Sequence, residues 1–355
     1  MRAAWYEKQG AARDVLRVGE MPDPIPAAGE VRIRIAASGI NPGDIKKRQD
    51  AFGVGMSYPR VVPHSDGAGQ VDQVGAGVSS EWLGRSVWCF GAQSYRPFGT
   101  AAEFTVVPLD KIAPLPDKVT MDQGACLGIP GITAHRAVQV AGSLPGKSVL
   151  VQGAGGTVGL CAVQLARRAG AYVIGSVRSP SEEETARKAG AQEVVRNDPE
   201  VRARVTALAP NGIDHIVEVA FGANIEDDVE LLKMGGSIAT YATDIGAPKI
   251  PFWPMVFKNI RLFFLGSDDF PAEAKSLAAR DLTPPSRQGG GDSKLPRGFH
   301  WQRLFGLMNS PNIPCDVDGS LSFCNRRVPP LSKCHRHDSP DDRCGQRERL
   351  EIPSA

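Results

Sequence analysis

The residues best suited to chemistry in this sequence form a glycine-rich turn at positions 153–159, GAGGTVG. The mainly apolar residues 149–152 before it predict a strand, and residues 158–169 after it predict a helix. Glycines allow a tight turn and a close approach of the backbone to a pyrophosphate, while the helix N-terminus offers free N–H groups and a positive dipole. A flexible loop is the alternative interpretation, but the flanking strand and helix favour a dinucleotide-binding site.

The end of the next predicted strand, residues 172–177, bears on which dinucleotide is bound. An Asp or Glu there would bond the ribose 2′-hydroxyl of NAD and repel a 2′-phosphate. The sequence instead reads RSPS before its first carboxylate, Glu182. Ser176, Arg178 and Ser179 could donate hydrogen bonds to a phosphate, so NADP is favoured. The alternative is that Arg178 is a solvated loop residue.

Two patterns of predicted elements would position this turn. In the first part of the chain, short strands alternate with Gly, Pro and Asp, which indicates a small β-rich domain. A helix-rich connection follows, and beyond it strands alternate with helices, which predicts a parallel sheet covered on both faces. Strands are predicted at 31–37, 71–74, 86–90, 102–107, 149–152, 172–177, 213–219, 237–241 and 260–265, and helical segments at 124–140, 158–169 and 182–189.

Composition narrows the class of protein. The chain has 355 residues, 42% hydrophobic and 23% charged, with a formal net charge of +2. This excludes a collagen-like, coiled-coil or wholly disordered protein. No apolar run approaches the roughly 20 residues of a membrane-spanning helix, and the N-terminus lacks the apolar core of a secretory signal, so a cytoplasmic protein with no membrane partner is expected. The near-zero charge predicts no DNA partner and argues against RNA.

The seven cysteines are unevenly placed and indicate neither a disulfide framework nor a zinc ribbon, because none forms a C-x-x-C pair. Periodicity stops after residue 283, so an irregular or disordered tail is predicted for residues 284–355. The tail cysteines are nine or ten residues apart, a spacing that matches no common zinc finger. The cysteines are Cys89, Cys126, Cys161, Cys315, Cys324, Cys334 and Cys344.

Several segments together carry a family resemblance over residues 1–280. They are SGINPGD at 38–44, PHSDGAG at 63–69, GTAAEF at 99–104, GIPGITA at 128–134 and the run at 154–167. With these segments the sequence resembles the medium-chain dehydrogenase/reductase superfamily, and within it the zinc-independent quinone oxidoreductase (zeta-crystallin-like) branch. The resemblance implies an α/β fold in which a GroES-like β-rich catalytic domain joins a Rossmann domain with a doubly wound parallel sheet.

This resemblance and the pattern of predicted elements together divide the chain into four expected parts. Residues 1–124 form the GroES-like catalytic domain and residues 125–268 the Rossmann NADPH-binding domain. Residues 269–283 begin the return to the catalytic domain, and residues 284–355 form the atypical tail, where the family pattern ends.

Zinc-dependent relatives in this superfamily use a Cys, a His in a G-H-E motif and a later Cys as catalytic ligands. The corresponding regions here read Gly39-Ile40-Asn41 and HSD at 64–66, so Ser65 occupies the position of the ligand histidine. His64 falls one residue early and is interpreted as a packing or supporting residue. Zinc prefers thiolate and imidazole ligands. A metal-free reaction is therefore expected.

The resemblance also implies site residues. Asn41 is expected near the nicotinamide or the substrate oxygen. Lys46 and Tyr58 are weaker catalytic candidates, because a surface lysine or a packing tyrosine would look the same in the sequence. The expected NADPH contacts are Thr133, Gly153, Gly156, Thr157, Val158, Gly159, Ser176, Arg178, Ser179, Asn197, Tyr241, Ala242, Thr243 and Gly266.

The first functional hypothesis is a zinc-independent, NADPH-dependent reductase of quinones. A quinone accepts hydride from NADPH with little help from a protein, which mainly has to orient the two rings and exclude water. The alternatives are an enoyl or enone reductase on the same scaffold, or a non-catalytic cofactor-binding, RNA-binding or defective paralogue. A small-molecule quinone or enone is the expected substrate, and a homodimer or homotetramer is the expected assembly.

Overall fold

A computed structural model describes residues 1–117 and 119–283 of the chain. The predicted irregular tail at 284–355, with its four cysteines, lies outside the described residues. The strands are β1 (Arg2–Trp5), β2 (Arg17–Glu20), β3 (Glu30–Gly39), β4 (Asp66–Val74), β5 (Ser86–Cys89), β6 (Phe104–Pro108), β7 (Ile112–Pro114), β8 (Ser148–Val151), β9 (Tyr172–Val177), β10 (Glu193–Arg196), β11 (Ile213–Glu218), β12 (Leu232–Thr240) and β13 (Arg261–Phe264).

The helices cover most of the segments between the later strands. They are α1 (Ala12–Val15), α2 (Pro42–Arg48), α3 (Met121–Ala125), α4 (Gly128–Gln139), α5 (Thr157–Arg168), α6 (Pro180–Ala189), α7 (Val201–Leu208), α8 (Phe221–Leu231), α9 (Phe252–Phe257) and α10 (Ala272–Leu282). The helix-rich connection predicted at 124–140 contains the end of α3 and all of α4. The break between these two helices falls where Gly128 packs on Asp66, since a Cβ on Gly128 would lie 2.0 Å from Asp66 Oδ1.

The β-rich first part of the chain contains a five-stranded antiparallel sheet in the order β6-β3-β4-β5-β7. Val31 and Ile33 of β3 are buried while Arg34 is exposed, which is the alternation expected of a half-buried strand. β4 begins earlier than predicted. Its Gly69 lies so close to β3 that a Cβ would be 2.0 Å from Arg34 O, so only glycine fits this close approach of the backbones.

The second part is a six-stranded sheet in the order β10-β9-β8-β11-β12-β13, and all its strand pairs are parallel. This confirms the predicted parallel sheet. Its central strands are apolar on both sides because helices cover both faces, which gives two clusters of buried side chains. The glycine-rich turn leaves β8, a central strand, and opens α5. β10 was not predicted, since it has only four residues and their burial, with Val195 buried and Arg196 exposed, follows no clear period.

α4 and α10 pack on each other next to the first sheet and join the two parts of the chain. His135 Nε2 of α4 lies 2.8 Å from Asp281 Oδ2 of α10. Trp88 Nε1 of β5 donates to Thr283 Oγ1 at 3.0 Å, immediately after α10. The Leu282 side chain between these contacts is fully buried. Across residues 1–117 and 119–283, no helix combines the length and apolar character needed to cross a membrane.

Candidate functional site

The turn between β8 and α5 depends on its glycines. Gly153 has a φ of +67°, a conformation that favours glycine. A Cβ on Gly159 would lie 2.2 Å from Gly153 O, so the start of α5 packs directly on the turn. Gly156 is the N-cap of α5, and no side chain caps this helix end. The first N–H groups of α5, at Thr157 and Val158, therefore remain available to an anionic ligand such as a pyrophosphate.

The carboxyl ends of the parallel strands bring most of the predicted nucleotide contacts to one edge of the sheet. Tyr241, Ala242 and Thr243 follow β12, and their backbone is fixed by Tyr241 N–H donating to Glu218 O at 3.2 Å. Asn197 is exposed after β10, and its N–H donates to Val177 O at 2.8 Å. Gly266 follows β13. This edge is where ligands bind in open α/β sheets.

Arg178 and Ser179 lie at the end of β9 but are already engaged within the protein. Glu182 accepts from the Arg178 backbone N–H at 2.7 Å and from the guanidinium at 3.4 Å. Ser179 is the N-cap of α6, where its hydroxyl accepts from Glu182 N–H at 3.3 Å. The Arg178 side chain is 69% exposed, so it can still reach a ligand. Glu182 packs on Gly155, whose Cβ would lie 2.5 Å from the Glu182 Cβ.

Ser176 lies below this surface rather than on it. Its side chain is buried, and its hydroxyl donates to Gln152 Oε1. Gln152 Nε2 in turn donates to Asp228 Oδ1 at 3.0 Å. Ser176 thus supports the turn, because its Oγ also accepts from the Gly153 N–H at 3.4 Å. The structure does not bring it to the same surface as Arg178.

Asn41 lies at the end of the β3–β4 pair that faces α4. It is the N-cap of α2 and is 8% exposed. Its Nδ2 donates to Asp66 Oδ2 at 2.8 Å, and the same oxygen accepts the Ile129 N–H of α4 at 2.8 Å. Asp66 thereby connects Asn41 to the helix that carries Thr133, one turn after Ile129. Thr133 is also buried.

Two carboxyl groups beside Asn41 are removed from water. Burial raises the pKa of Asp66 well above its ordinary value, and its Oδ1 is buried with no hydrogen-bond partner in the described residues. Burial also raises the pKa of Asp44 to about 6, although it accepts the Asn41 backbone N–H at 2.7 Å. Neither Asp66 nor Asp44 was predicted as a site residue from the sequence. The signal was present, since each lies in a segment that carries the family resemblance.

The other two catalytic candidates form no hydrogen bond with the Asn41 side chain among the described residues. Lys46 is half-buried in the last turn of α2 and forms no ion pair among the described residues. Its neighbour Lys47 does, with Nζ 2.8 Å from Asp268 Oδ2. The Tyr58 hydroxyl donates to Tyr95 O at 2.6 Å, and its ring packs near Tyr6. The Tyr58 hydroxyl is therefore already engaged by the backbone of Tyr95 rather than by Asn41.

Asp268 was not predicted as a site residue either. It lies in the segment after β13 and connects that segment to α2, which follows β3 of the five-stranded sheet. Besides Lys47, the Ser94 hydroxyl donates to Asp268 Oδ1, and Lys275 Nζ donates to Asp268 O at 2.6 Å. Although burial acts to raise it, Lys47 and Ser94 hold the pKa of Asp268 below its usual value. We call Lys47, Ser94 and Asp268 the Asp268 cluster. This cluster holds α2, whose N-cap is Asn41, next to the segment after β13 that contains Gly266.

The region expected to hold zinc ligands in metal-dependent relatives offers few donors. Ser65 is buried, and its backbone O accepts from Ala92 N–H at 2.9 Å. Cys89, Cys126 and Cys161 are buried free thiols, and burial raises the pKa of Cys126 and of Cys161 to about 12. Within residues 1–117 and 119–283, no group of three or more His, Cys, Asp or Glu side chains could hold a metal ion.

Comparison with known proteins gives matches in both parts of the chain. Residues 27–117 match the family described as "Alcohol dehydrogenase GroES-like domain", and residues 157–279 match "Zinc-binding dehydrogenase". The quinone oxidoreductase of Rattus norvegicus is 35% identical over 218 residues, which cover 61% of this chain. The match spans only 65% of the length of the rat protein.

Two further relatives extend the match. The quinone oxidoreductase of Lama guanicoe is 32% identical over 288 residues, covering 79% of this chain and 85% of that protein. The crystal structure of the quinone oxidoreductase from Thermus thermophilus, also solved in complex with NADPH, aligns with a TM-score of 0.64 and 28% identity. That alignment covers 75% of this chain and 81% of the other.

Proposed function

Because the chain belongs to the quinone oxidoreductase branch of the medium-chain dehydrogenase/reductase superfamily, we propose that it is an NADPH-dependent quinone reductase. The observation that carries the proposal is the open N-terminus of α5 at the glycine-rich turn. This helix end lies at the carboxyl ends of the parallel strands, a region that the Asp268 cluster holds next to α2 and Asn41. The relatives named quinone oxidoreductase support the choice of substrate class.

The residues at the sheet edge fit NADPH. The uncapped N–H groups of Thr157 and Val158 suit the pyrophosphate, and Gly156 leaves room for it, since a Cβ there would meet only Gly153 O at 3.5 Å. The exposed Arg178 guanidinium suits the 2′-phosphate. When bound, NADPH would supply the hydride for the reduction.

The remaining contacts expected with NADPH are proposals of the same kind. They comprise Thr133 on α4, Gly153 and Gly159 in the turn, Ser179 and Asn197 on the adenosine side, and Tyr241, Ala242, Thr243 and Gly266 on the nicotinamide side. Ser176 acts indirectly, because its hydroxyl accepts a hydrogen bond from the Gly153 N–H and so holds the turn in place.

The chain's own contribution to the reaction is orientation and exclusion of water. Asn41 presents its amide to the substrate oxygen, while Asp66 holds that amide in place. The Asp268 cluster closes the space between α2 and the sheet edge. Zinc independence is part of the proposal, and the serine at position 65 supports it.

The test is the rate of NADPH oxidation with a panel of quinones, alongside enoyl thioesters and simple enones, before and after treatment with a chelator. We expect turnover with quinones that the chelator does not change. Turnover with enoyl thioesters alone would replace the proposal by an enoyl reductase. Quenching of the intrinsic fluorescence by NADPH without any acceptor-dependent oxidation would favour a non-catalytic cofactor-binding protein.

Arg178→Ala tests the assignment of the 2′-phosphate contact. We expect the preference for NADPH over NADH, measured as the ratio of kcat/KM values, to fall by about tenfold or more, since a charge-assisted hydrogen bond is lost. Arg187→Ala is the matched control, because Arg187 forms the same kind of ion pair with a glutamate four residues away, within α6. An unchanged preference in Arg178→Ala would refute the assignment.

We propose a homo-oligomer that uses the β13 edge of the parallel sheet. β13 pairs only with β12 among the described strands, and it leaves a free edge. Aromatic side chains lie exposed beside it, with Trp253 63% and Phe264 70% exposed. Large exposed apolar patches of this kind mark interaction surfaces, and a free strand edge offers backbone hydrogen bonds to a second copy.

A further inference from the structure

His64 has a backbone conformation that a histidine seldom adopts. Its φ is +77°, in the left-handed region that favours glycine. The surrounding backbone packs closely on this residue, because a Cβ on Gly99 would lie 2.2 Å from His64 O, and the Thr100 N–H donates to the same oxygen at 3.0 Å. Strained non-glycine residues persist where their neighbours determine them and are concentrated at functional sites. Glycine would relieve the strain here, so the imidazole needs an explanation.

The imidazole is held by a chain of two hydroxyl groups. Thr100 Oγ1 donates to Asp66 O at 2.5 Å, Ser38 Oγ lies 2.8 Å from Thr100 Oγ1, and His64 Nδ1 lies 2.9 Å from Ser38 Oγ. Each hydroxyl has one proton to donate. The Thr100 proton goes to the carbonyl, so Ser38 donates to Thr100, and Ser38 must then accept from His64.

This direction of the hydrogen bonds fixes the tautomer of His64. Its Nδ1 carries the proton, and its Nε2 carries a free lone pair. Burial and the nearby Arg48 lower the pKa of His64 to about 4, so the ring is neutral at pH 7 and Nε2 remains an acceptor. Nε2 has no hydrogen-bond partner in the described residues, and His64 as a whole is partly exposed, so this lone pair is free to accept.

The acceptor nitrogen belongs to the same end of the first sheet as Asn41. β3 ends and β4 begins there, with Ser38 paired to Gly67 and Gly39 to Asp66. His64 is two residues before Asp66, whose carboxylate binds both Asn41 and α4. A donor amide at Asn41 and an acceptor imidazole at His64 thus flank the start of β4.

We propose that His64 is a specificity-determining residue that accepts a hydrogen bond from a hydroxyl group on the substrate, so that the enzyme favours quinones with a hydroxyl-bearing substituent. The inference rests on the proposed function, because it concerns the substrate of that site. A quinone with only carbonyl and alkyl groups has no donor for Nε2. A hydroxymethyl group provides one without changing the overall charge.

The experiment compares 2-(hydroxymethyl)-1,4-naphthoquinone with 2-methyl-1,4-naphthoquinone. The quantity measured is the ratio of their kcat/KM values, in the wild type and in His64→Gly. We expect this ratio to fall about threefold to tenfold in the variant, the range of one neutral hydrogen bond. His64→Asn should retain part of the preference, because asparagine tolerates a positive φ and its Oδ1 can accept a hydrogen bond.

Asn259→Gly is the matched control. Asn259 has a φ of +50° and precedes β13, so this variant relieves backbone strain elsewhere in the chain. Its ratio should equal that of the wild type. If His64→Gly has the wild-type ratio as well, the inference is wrong.

Nuclear magnetic resonance of the ring nitrogens tests the same inference without turnover. In the full chain, the His64 signals are those missing from the spectrum of His64→Gly. We expect a protonated Nδ1 and an unprotonated Nε2, with Nε2 shifting when the hydroxymethyl quinone is added. A protonated Nε2 overturns the inference even if quinones are reduced. If no quinone is reduced, the proposed function fails, while the response of Nε2 to the hydroxymethyl quinone still decides the inference.

Discussion

Asn41 combines a structural role with the proposed role in binding the substrate. Asn41 starts α2, and its side chain also binds Asp66, which is buried and has one oxygen without a partner in the described residues. Such a carboxyl group is costly to bury, because few hydrogen bonds replace those it made with water. The arrangement therefore ties the orientation of the proposed substrate contact to the stability of its surroundings.

Asn41→Ala is expected to separate these two contributions. Loss of the amide removes a donor to Asp66, so the free energy of unfolding should fall by about 1–3 kcal/mol. The kcat/KM for quinones should fall by about tenfold or more, while NADPH binding, followed by fluorescence quenching, should change little. Thermal unfolding and steady-state kinetics on the same preparation give both numbers. A variant with reduced stability but full quinone turnover would contradict the proposed role of Asn41.

Asp44 should make the stability of the protein depend on pH. Burial raises the pKa of Asp44 from 3.8 to about 6 in the folded chain. The folded state therefore prefers the protonated form, and the stability that this group contributes is full below about pH 4 and is lost as the pH rises to about 6. Asp44→Asn stays neutral throughout.

The free energy of unfolding of Asp44→Asn should accordingly improve relative to the wild type by about 3 kcal/mol between pH 4 and pH 7. Denaturant titrations at the two pH values measure this change. The exposed Asp14→Asn controls for the loss of one carboxylate. A constant difference between wild type and Asp44→Asn would show that Asp44 ionises as readily in the folded chain as in the unfolded one.

At the scale of secondary-structure elements, the proposed site lies where three segments meet. They are α2, which follows β3 of the antiparallel sheet, α4 between the two sheets, and the segment after β13. Asp66 bonds the start of α4, and the Asp268 cluster bonds α2 to the segment of Gly266. The rigid α5 terminus alone could bind a nucleotide. In the proposed function, the other two contacts align the bound nucleotide with Asn41.

Asp268→Ala tests this alignment. Removing a partly buried carboxylate that pairs with Lys47 and Ser94 should lower the free energy of unfolding by about 1–3 kcal/mol. It should also raise the KM for NADPH several-fold, because Gly266 loses its fixed position next to α2. Asp227→Ala, which removes an exposed ion pair with Arg202, should change neither quantity appreciably. Equal effects of the two variants on KM would speak against an aligning role of Asp268.

At the scale of the whole molecule, the parallel sheet contributes to two clusters of buried apolar side chains and leaves an aromatic surface on its β13 edge. Phe252 and Phe257 flank Trp253 in α9, and Phe264 ends the edge strand. This surface lies at the β13 end of the sheet, and β10 lies at the opposite end. A second copy bound at β13 would therefore extend the sheet without covering Arg178.

Trp253→Lys combined with Phe264→Lys should convert the proposed oligomer to a monomer, because charges on both chains would face each other across the edge. Light scattering coupled to size-exclusion chromatography measures the mass directly. Tyr172→Lys is the matched control, since Tyr172 is partly buried at the start of β9, away from the edge. A wild-type chain that is already monomeric at micromolar concentrations would refute the proposed assembly.

The sequence alone determined the two sheets and the turn between β8 and α5. These depend on local patterns: alternation in β3, apolar runs in the parallel strands, and glycines whose absence of a side chain the turn requires. The same patterns, with the family segments, predicted the fold class, which the structure and the family matches confirm.

Only the tertiary structure decided which polar groups share a site. It paired Asp66 with Asn41 and α4, placed Asp268 against Lys47, and set Glu182 on Arg178. It also buried Ser176, which the sequence had assigned to the nucleotide surface, and showed His64 strained and bonded to Ser38. These outcomes depend on burial and on contacts between residues far apart in the chain, and no local pattern encodes either.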